Sequence, residues 1–287
     1  MLTQEIHIRD PFVLCEGETY YLYGTTGADA WGKCSGFYCY TSTDLENWSG
    51  PFSVFTPPKD FWSDTNFWAP EVHRYRGSYY MFAAFLPKQG RRTVQILKAQ
   101  SPLGPFLPHG NPVTPADWDT LDGTLFIEND TPYLVFCHEW TQIKDGAMCA
   151  LPLTEDLSAP AGEPFLLFHA SDPHFALGMG GEGYKNPNGN YVTDGPFIVK
   201  TGESEHAMLW STVVNGNYLQ CVSYFSGSIR NAKFTHADPL FDKDGGHGMV
   251  FVDKTGNPYL SLHRPNVGPN ERPLFIPLST RGKLILL

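Results

Sequence analysis

Residues 193–212 read TDGPFIVKTGESEHAMLWST. Asp194 stands before Gly-Pro, the apolar run FIV follows, the polar stretch TGESE reverses the chain, and a second apolar run, AMLW, follows that. Two β-prone runs joined by a Gly-containing turn read as a hairpin. A carboxylate at the head of a strand is costly to bury alone, so it should face water, a partner or a substrate. The pattern recurs in IRDPFVLCEGETYYLYGTT (8–26), WAPEVHRYRGSYYMFAAF (68–85), LDGTLFIENDTPYLVFCHEW (121–140) and GHGMVFVDKTGNPYLSLHRPN (246–266). The polar residues read as heads of the five hairpins are Asp10, Glu71, Asp122, Asp194 and His247.

These heads recur roughly every 50 to 70 residues, the spacing expected of four-stranded propeller blades. Five repeats predict an all-β, five-bladed β-propeller filling residues 1–287 as one domain. GFYCYTSTDLENWS, TVQILKAQSPLGPF, AMCALPLTEDLSAP and YLQCVSYFSGSIR supply outer strands. No long helical periodicity competes with this reading. A β-sandwich, the rival architecture, gives no reason for a polar residue at five hairpin heads. In a propeller the inner strands surround a channel, so the heads should converge at one of its mouths.

The composition agrees. Of 287 residues 41% are hydrophobic and 17% charged, enough to build a core, and 28 Gly with 24 Pro suit many turns. The net charge of −10 argues against nucleic acid or an anionic membrane as partner. The longest apolar stretch, YYMFAAFL, is too short to span a bilayer. The start, MLTQEIHIRDPF, shows no basic segment followed by an apolar run, so no signal peptide is visible, and a cytoplasmic protein and a secreted one without its leader are both compatible. The six cysteines contain no C-x-x-C pair, which argues against zinc and favours free buried thiols. The oligomeric state is not readable.

With the acidic heads placed, the chain resembles glycoside hydrolase family 43. RDPFV…YYLYGT, FWAPEV, LDGTLF, TDGPFIV…AMLWST and GGHGMVF…LSLHRPN carry the resemblance in order across nearly the whole length. It implies a five-bladed propeller that hydrolyses arabinose- or xylose-containing oligosaccharides or polysaccharides with inversion. It further implies Asp10 as general base, Asp122 as pKa modulator and Asp194 as general acid. The family's acid is usually Glu in an E-G-P setting, whereas Asp194 is one methylene shorter. Glu182 in GMGGEGYKN and Glu139 in CHEW are the alternative acids.

Inverting hydrolysis needs a protonated acid at the leaving oxygen and an ionised base holding water on the opposite face. Trp68 is the candidate for stacking on a sugar face, and Glu71 for hydrogen bonding its hydroxyls. Trp31, Phe67, His138, Trp140 and Arg264 are further pocket candidates. No cofactor is required. The resemblance implies that His247 lies on the propeller axis, where it can ligate a structural calcium; read alone, such a histidine is a hydrogen-bonded structural residue, and calcium prefers oxygen ligands. The expected activity is release of terminal α-L-arabinofuranosyl residues, with β-D-xylosidase and endo-arabinanase as alternatives. A catalytically impaired carbohydrate-binding propeller is the reading outside enzymology.

Overall fold

The computed structural model describes residues 1–26, 30–179 and 190–287. Its strands form five four-stranded antiparallel sheets, each built from four consecutive strands and ordered as in the chain. Blade 1 holds β1 (Ile8–Glu16), β2 (Thr19–Thr26), β3 (Phe37–Ser42) and β4 (Ser49–Phe55). Blade 2 holds β5 (Ser63–Tyr75), β6 (Ser78–Pro87), β7 (Thr93–Ala99) and β8 (Leu107–Pro108). Blade 3 holds β9 (Thr120–Glu128), β10 (Thr131–His138), β11 (Ala147–Pro152) and β12 (Phe165–His169), with the one-turn helix α1 (Trp140–Ile143) after β10. Blade 4 holds β13 (Asp194–Lys200), β14 (Glu205–Val214), β15 (Asn217–Ser226) and β16 (Thr235–His236). Blade 5 holds β17 (Gly246–Val252), β18 (Pro258–Arg264), β19 (Arg272–Ser279) and β20 (Ile285–Leu286). This is the five-bladed propeller expected from the repeats.

The second and third strands of a blade are covered on both faces by neighbouring blades, which explains their unbroken apolar runs. In β6 the run YYMFAAF is buried throughout, whereas most of the outer strand β4 is exposed. The core is accordingly divided among the seams. Phe37, Phe55, Phe67 and Phe85 pack between blades 1 and 2, and Phe82, Val94, Leu134 and Phe136 between blades 2 and 3. Met148, Phe168, Met208 and Trp210 fill the next seam, and Leu209, Val222, Leu260 and Leu262 the last before closure. Cys39, Cys137, Cys149 and Cys221 are buried thiols in these seams, as the sequence suggested. Among the described residues no helix is long and apolar enough to cross a membrane.

Every inner strand carries a bulge at its head. Pairing with the second strand skips two residues after Arg9, Trp68, Leu121, Asp194 and Gly246. The first skipped residue has positive φ in all five blades: Asp10 (53°), Ala69 (45°), Asp122 (55°), Gly195 (52°) and His247 (53°). A bulge bends the strand and re-aims the extra side chain, and here it turns five equivalent positions toward the axis. The sequence reading is corrected at two heads. Ala69, not Glu71, is the head of blade 2, and Gly195, not Asp194, is the head of blade 4. Asp194 occupies the preceding position, shared with Arg9, Trp68, Leu121 and Gly246.

Candidate active site

The five heads meet as three polar side chains and two small residues. His247 Nδ1 lies 3.1 Å from Asp10 Oδ1 and 3.7 Å from Asp122 Oδ2. The small heads supply backbone donors: Gly195 N–H gives its hydrogen bond to Asp122 Oδ2 at 2.9 Å, and Ala69 N–H to Thr25 Oγ1 at 2.8 Å. Unlike the other heads, residue 195 has no room for a side chain, because an added Cβ would lie 2.8 Å from the His247 ring.

Asp10 is held as a carboxylate. Burial pushes it up, but His247, His263, Arg9 and the Thr25 hydroxyl together bring it below the ordinary aspartate value. Thr25 Oγ1 donates to Asp10 Oδ2 at 2.6 Å. The contribution from His263 is smaller than its proximity suggests. Its Nδ1 accepts the Asp10 backbone N–H at 3.1 Å, so the ring proton sits on Nε2, facing Asn266 Oδ1 at 3.1 Å. Burial pushes His263 down to about 3, and the ring is neutral. The 3.6 Å approach of its Nδ1 to Asp10 Oδ1 is therefore a contact, not an ion pair.

The other carboxyls are pushed the opposite way. Burial, and then the Asp122 charge, raise Asp194 to about 7, although the Tyr218 hydroxyl donates to Asp194 Oδ2 at 3.1 Å and opposes the shift. Asp122 is raised well above its ordinary value by burial and by Asp10. Two buried carboxyls this strongly coupled titrate as a unit. Glu139 is raised to about 7 by burial and by Asp194, against the pull of Arg92, whose Nη1 donates to Oε2 at 2.9 Å.

All four carboxyls line one cavity of about 710 Å³ at the channel mouth. Trp31, Trp68 and Trp140 also line it. Trp31 is 66% exposed and meets Trp68 edge-on at 4.7 Å. Four other candidates do not line the cavity. Glu71 is buried away from the cavity and pairs with His73 at 3.1 Å, because it lies past the bulge. Phe67 belongs to the aromatic cluster of the first seam. His138 stacks on Trp118 at 4.2 Å and bonds Gln142. Arg264 is exposed on the outside, its Nε donating to Lys243 O at 2.7 Å. Glu182 lies outside the described residues.

The sequence reading missed Arg9, Thr25, Arg92, Tyr218 and Asn266, which also line the cavity. Arg9 was signalled only by adjacency to Asp10; the others come from second strands, third strands and loops. A calcium on the axis would meet His247 through Nε2, since Nδ1 faces Asp10 at 3.1 Å, and among the described residues no group of three or more His, Cys, Asp or Glu is arranged to hold a metal. Calcium calls for an oxygen-rich shell, and no step below runs through one.

Residues 4–278 match the family described as Glycosyl hydrolases family 43. The chain belongs to this family. The family is described as one of glycosyl hydrolases, and its solved relatives share the five-bladed propeller seen here. Among solved structures of the family's fold, an endo-arabinase from Bacteroides thetaiotaomicron VPI-5482 superposes with a TM-score of 0.88 at 33% identity, covering 97% of this chain and 96% of that one. An alpha-L-arabinofuranosidase from Lactobacillus brevis shares the fold at a TM-score of 0.76 and 15% identity, covering 100% of this chain and 97% of that one. The extracellular endo-alpha-(1->5)-L-arabinanase 1 of Bacillus subtilis (strain 168) is 27% identical over 150 residues; the match spans 48% of this chain and 45% of that protein.

Proposed function

We propose that this family 43 member is an inverting hydrolase of α-L-arabinofuranosyl linkages, cleaving within arabinan chains. The observation that carries the chemistry is the opposed treatment of two carboxyls in one cavity. Asp10 is held ionised by Thr25 and His247, whereas Asp194 is buried beside Asp122 and keeps its proton to about neutral pH. Carboxyls driven apart in this way divide into base and acid. Asp10 draws a proton from a water molecule, and that water attacks the anomeric carbon. Asp194 delivers its proton to the leaving oxygen as the glycosidic bond breaks. Asp122, at the centre of the carboxyl group, raises and orients the acid. Trp68 lines the cavity beneath the Arg92 guanidinium, which lies 3.9 Å from its ring centroid.

The choice of arabinan rests on two relatives at 27% and 33% identity, both arabinanases. It moves the reading away from release of terminal arabinofuranosyl residues, which the sequence first suggested and which stays the second reading. The test is incubation with 4-nitrophenyl α-L-arabinofuranoside, 4-nitrophenyl β-D-xyloside and linear α-1,5-arabinan, with NMR of the first-formed anomer. Early oligosaccharides of inverted configuration from arabinan support the proposal. Monosaccharide as the sole early product supports exo release. Cleavage of the xyloside alone overturns the arabinan reading, and retained configuration overturns the roles of Asp10 and Asp194.

A further inference from the structure

At the seam of blades 2 and 3, Arg92 and Glu139 form an ion pair in the cavity wall, beside the three aspartates. Glu139 is only 6% exposed, and its Oε2 takes a hydrogen bond from Arg92 Nη1 at 2.9 Å. The Arg92 guanidinium lies over the Trp68 ring, 3.9 Å from its centroid. Arg92 Nε is buried and has no hydrogen-bond partner among the described residues.

A purely structural role explains this pair poorly. Buried ion pairs seldom stabilise a fold more than apolar residues of the same volume, and those that do have their remaining donors satisfied. The seam is already tied without it. Thr120 N–H donates to Arg92 O at 2.9 Å, Arg92 N–H to Asp119 Oδ1 at 3.0 Å, and Phe82, Leu134 and Phe136 pack beneath. A planar cation laid on an aromatic ring and a carboxylate with acceptor capacity to spare are instead what a polyhydroxylated ligand needs. The ring holds the guanidinium flat, the guanidinium donates to one hydroxyl, and the carboxylate accepts from the next.

We infer that Arg92 and Glu139, with Trp68, form a subsite binding the hydroxyls of a sugar unit adjoining the bond that is cleaved. The ligand is a neutral pentose unit within a chain. The inference rests on the proposed hydrolase reading and adds to it where the chain is held.

The test separates binding from chemistry. Asp10→Asn protein is titrated calorimetrically with arabinotetraose, alone and combined with Glu139→Gln or Arg92→Lys. Active single variants are assayed in parallel on arabinotetraose. The expected result is at least tenfold weaker binding in both combined variants and a loss in the active enzymes that falls mainly on KM. Binding within twofold of the Asp10→Asn parent overturns the subsite. So does a loss confined to kcat, which would make Glu139 a proton donor alongside Asp194. If wild type cleaves nothing but Asp10→Asn binds the tetraose and Glu139→Gln abolishes that binding, the hydrolase reading falls and the subsite stands. Where Glu139→Gln fails to fold, Arg92→Lys decides, since it keeps the charge and loses the planar fork.

Discussion

Between Asp194 and Gly195 the chain passes from the pocket wall to the axis, and the chemistry depends on that one-residue offset. Asp194 keeps its proton because it is buried and faces Asp122, while Tyr218 pulls the other way. Tyr218→Phe removes a donor that favours the carboxylate, so the basic limb of the pH–rate profile should move to higher pH; an unmoved limb would show that Asp194 is not the titrating acid. Asp10→Asn should cost at least about 10²–10⁴-fold in kcat, with the thermal midpoint nearly kept. Asp194→Ala should slow substrates with poor leaving groups far more than aryl glycosides, and equal losses would argue against an acid role. The raised Asp194 also bears on stability. A carboxyl whose folded value exceeds its unfolded value stabilises the fold below the unfolded value, and that contribution is lost as pH rises through the folded one, here about 7. Asp194→Asn should therefore gain on wild type by about 2–3 kcal/mol between pH 5 and pH 8, read from denaturant midpoints at both pH values.

At the scale of the element, the bulge decides which residues reach the axis. Hairpins and their order were legible in the sequence, because alternating apolar runs and Gly-rich turns are local signals. The register of the bulge was not, because a head is defined by pairing with the second strand. Glu71 looked like a head and lies two residues past it; Ala69 was invisible because its contribution is a backbone N–H. Thr25, opposite Arg9 in β2, was missed for the same reason, although its hydroxyl joins two blades by accepting from Ala69 N–H and donating to Asp10. Thr25→Val keeps the shape and removes both bonds. It should destabilise by about 1–3 kcal/mol and lower kcat, and a change in neither would detach Thr25 from Asp10.

At the scale of the molecule, the ring closes through side chains and loops. Arg9 in β1 pairs with Glu271 beside β19 at 2.6 Å, and Ser261 Oγ in β18 donates to Pro11 O at 2.8 Å. Blade 5 completes itself with its own β20, so among the described residues no strand from the start of the chain closes the last sheet. The closure brings Asp10 against His263 and His247, and the base is assembled only when the first and last blades meet. Sequence reading found the residues on both sides of that seam but could not show them touching, since more than 230 positions separate them and no local pattern encodes the contact.

The most direct single measurement is the product profile from linear α-1,5-arabinan with wild type and Asp10→Asn side by side. Mixed arabino-oligosaccharides appearing early with wild type, and none with the variant, are predicted. Intact arabinan with wild type, or equal release by both proteins, would contradict a hydrolase that uses Asp10 as its base.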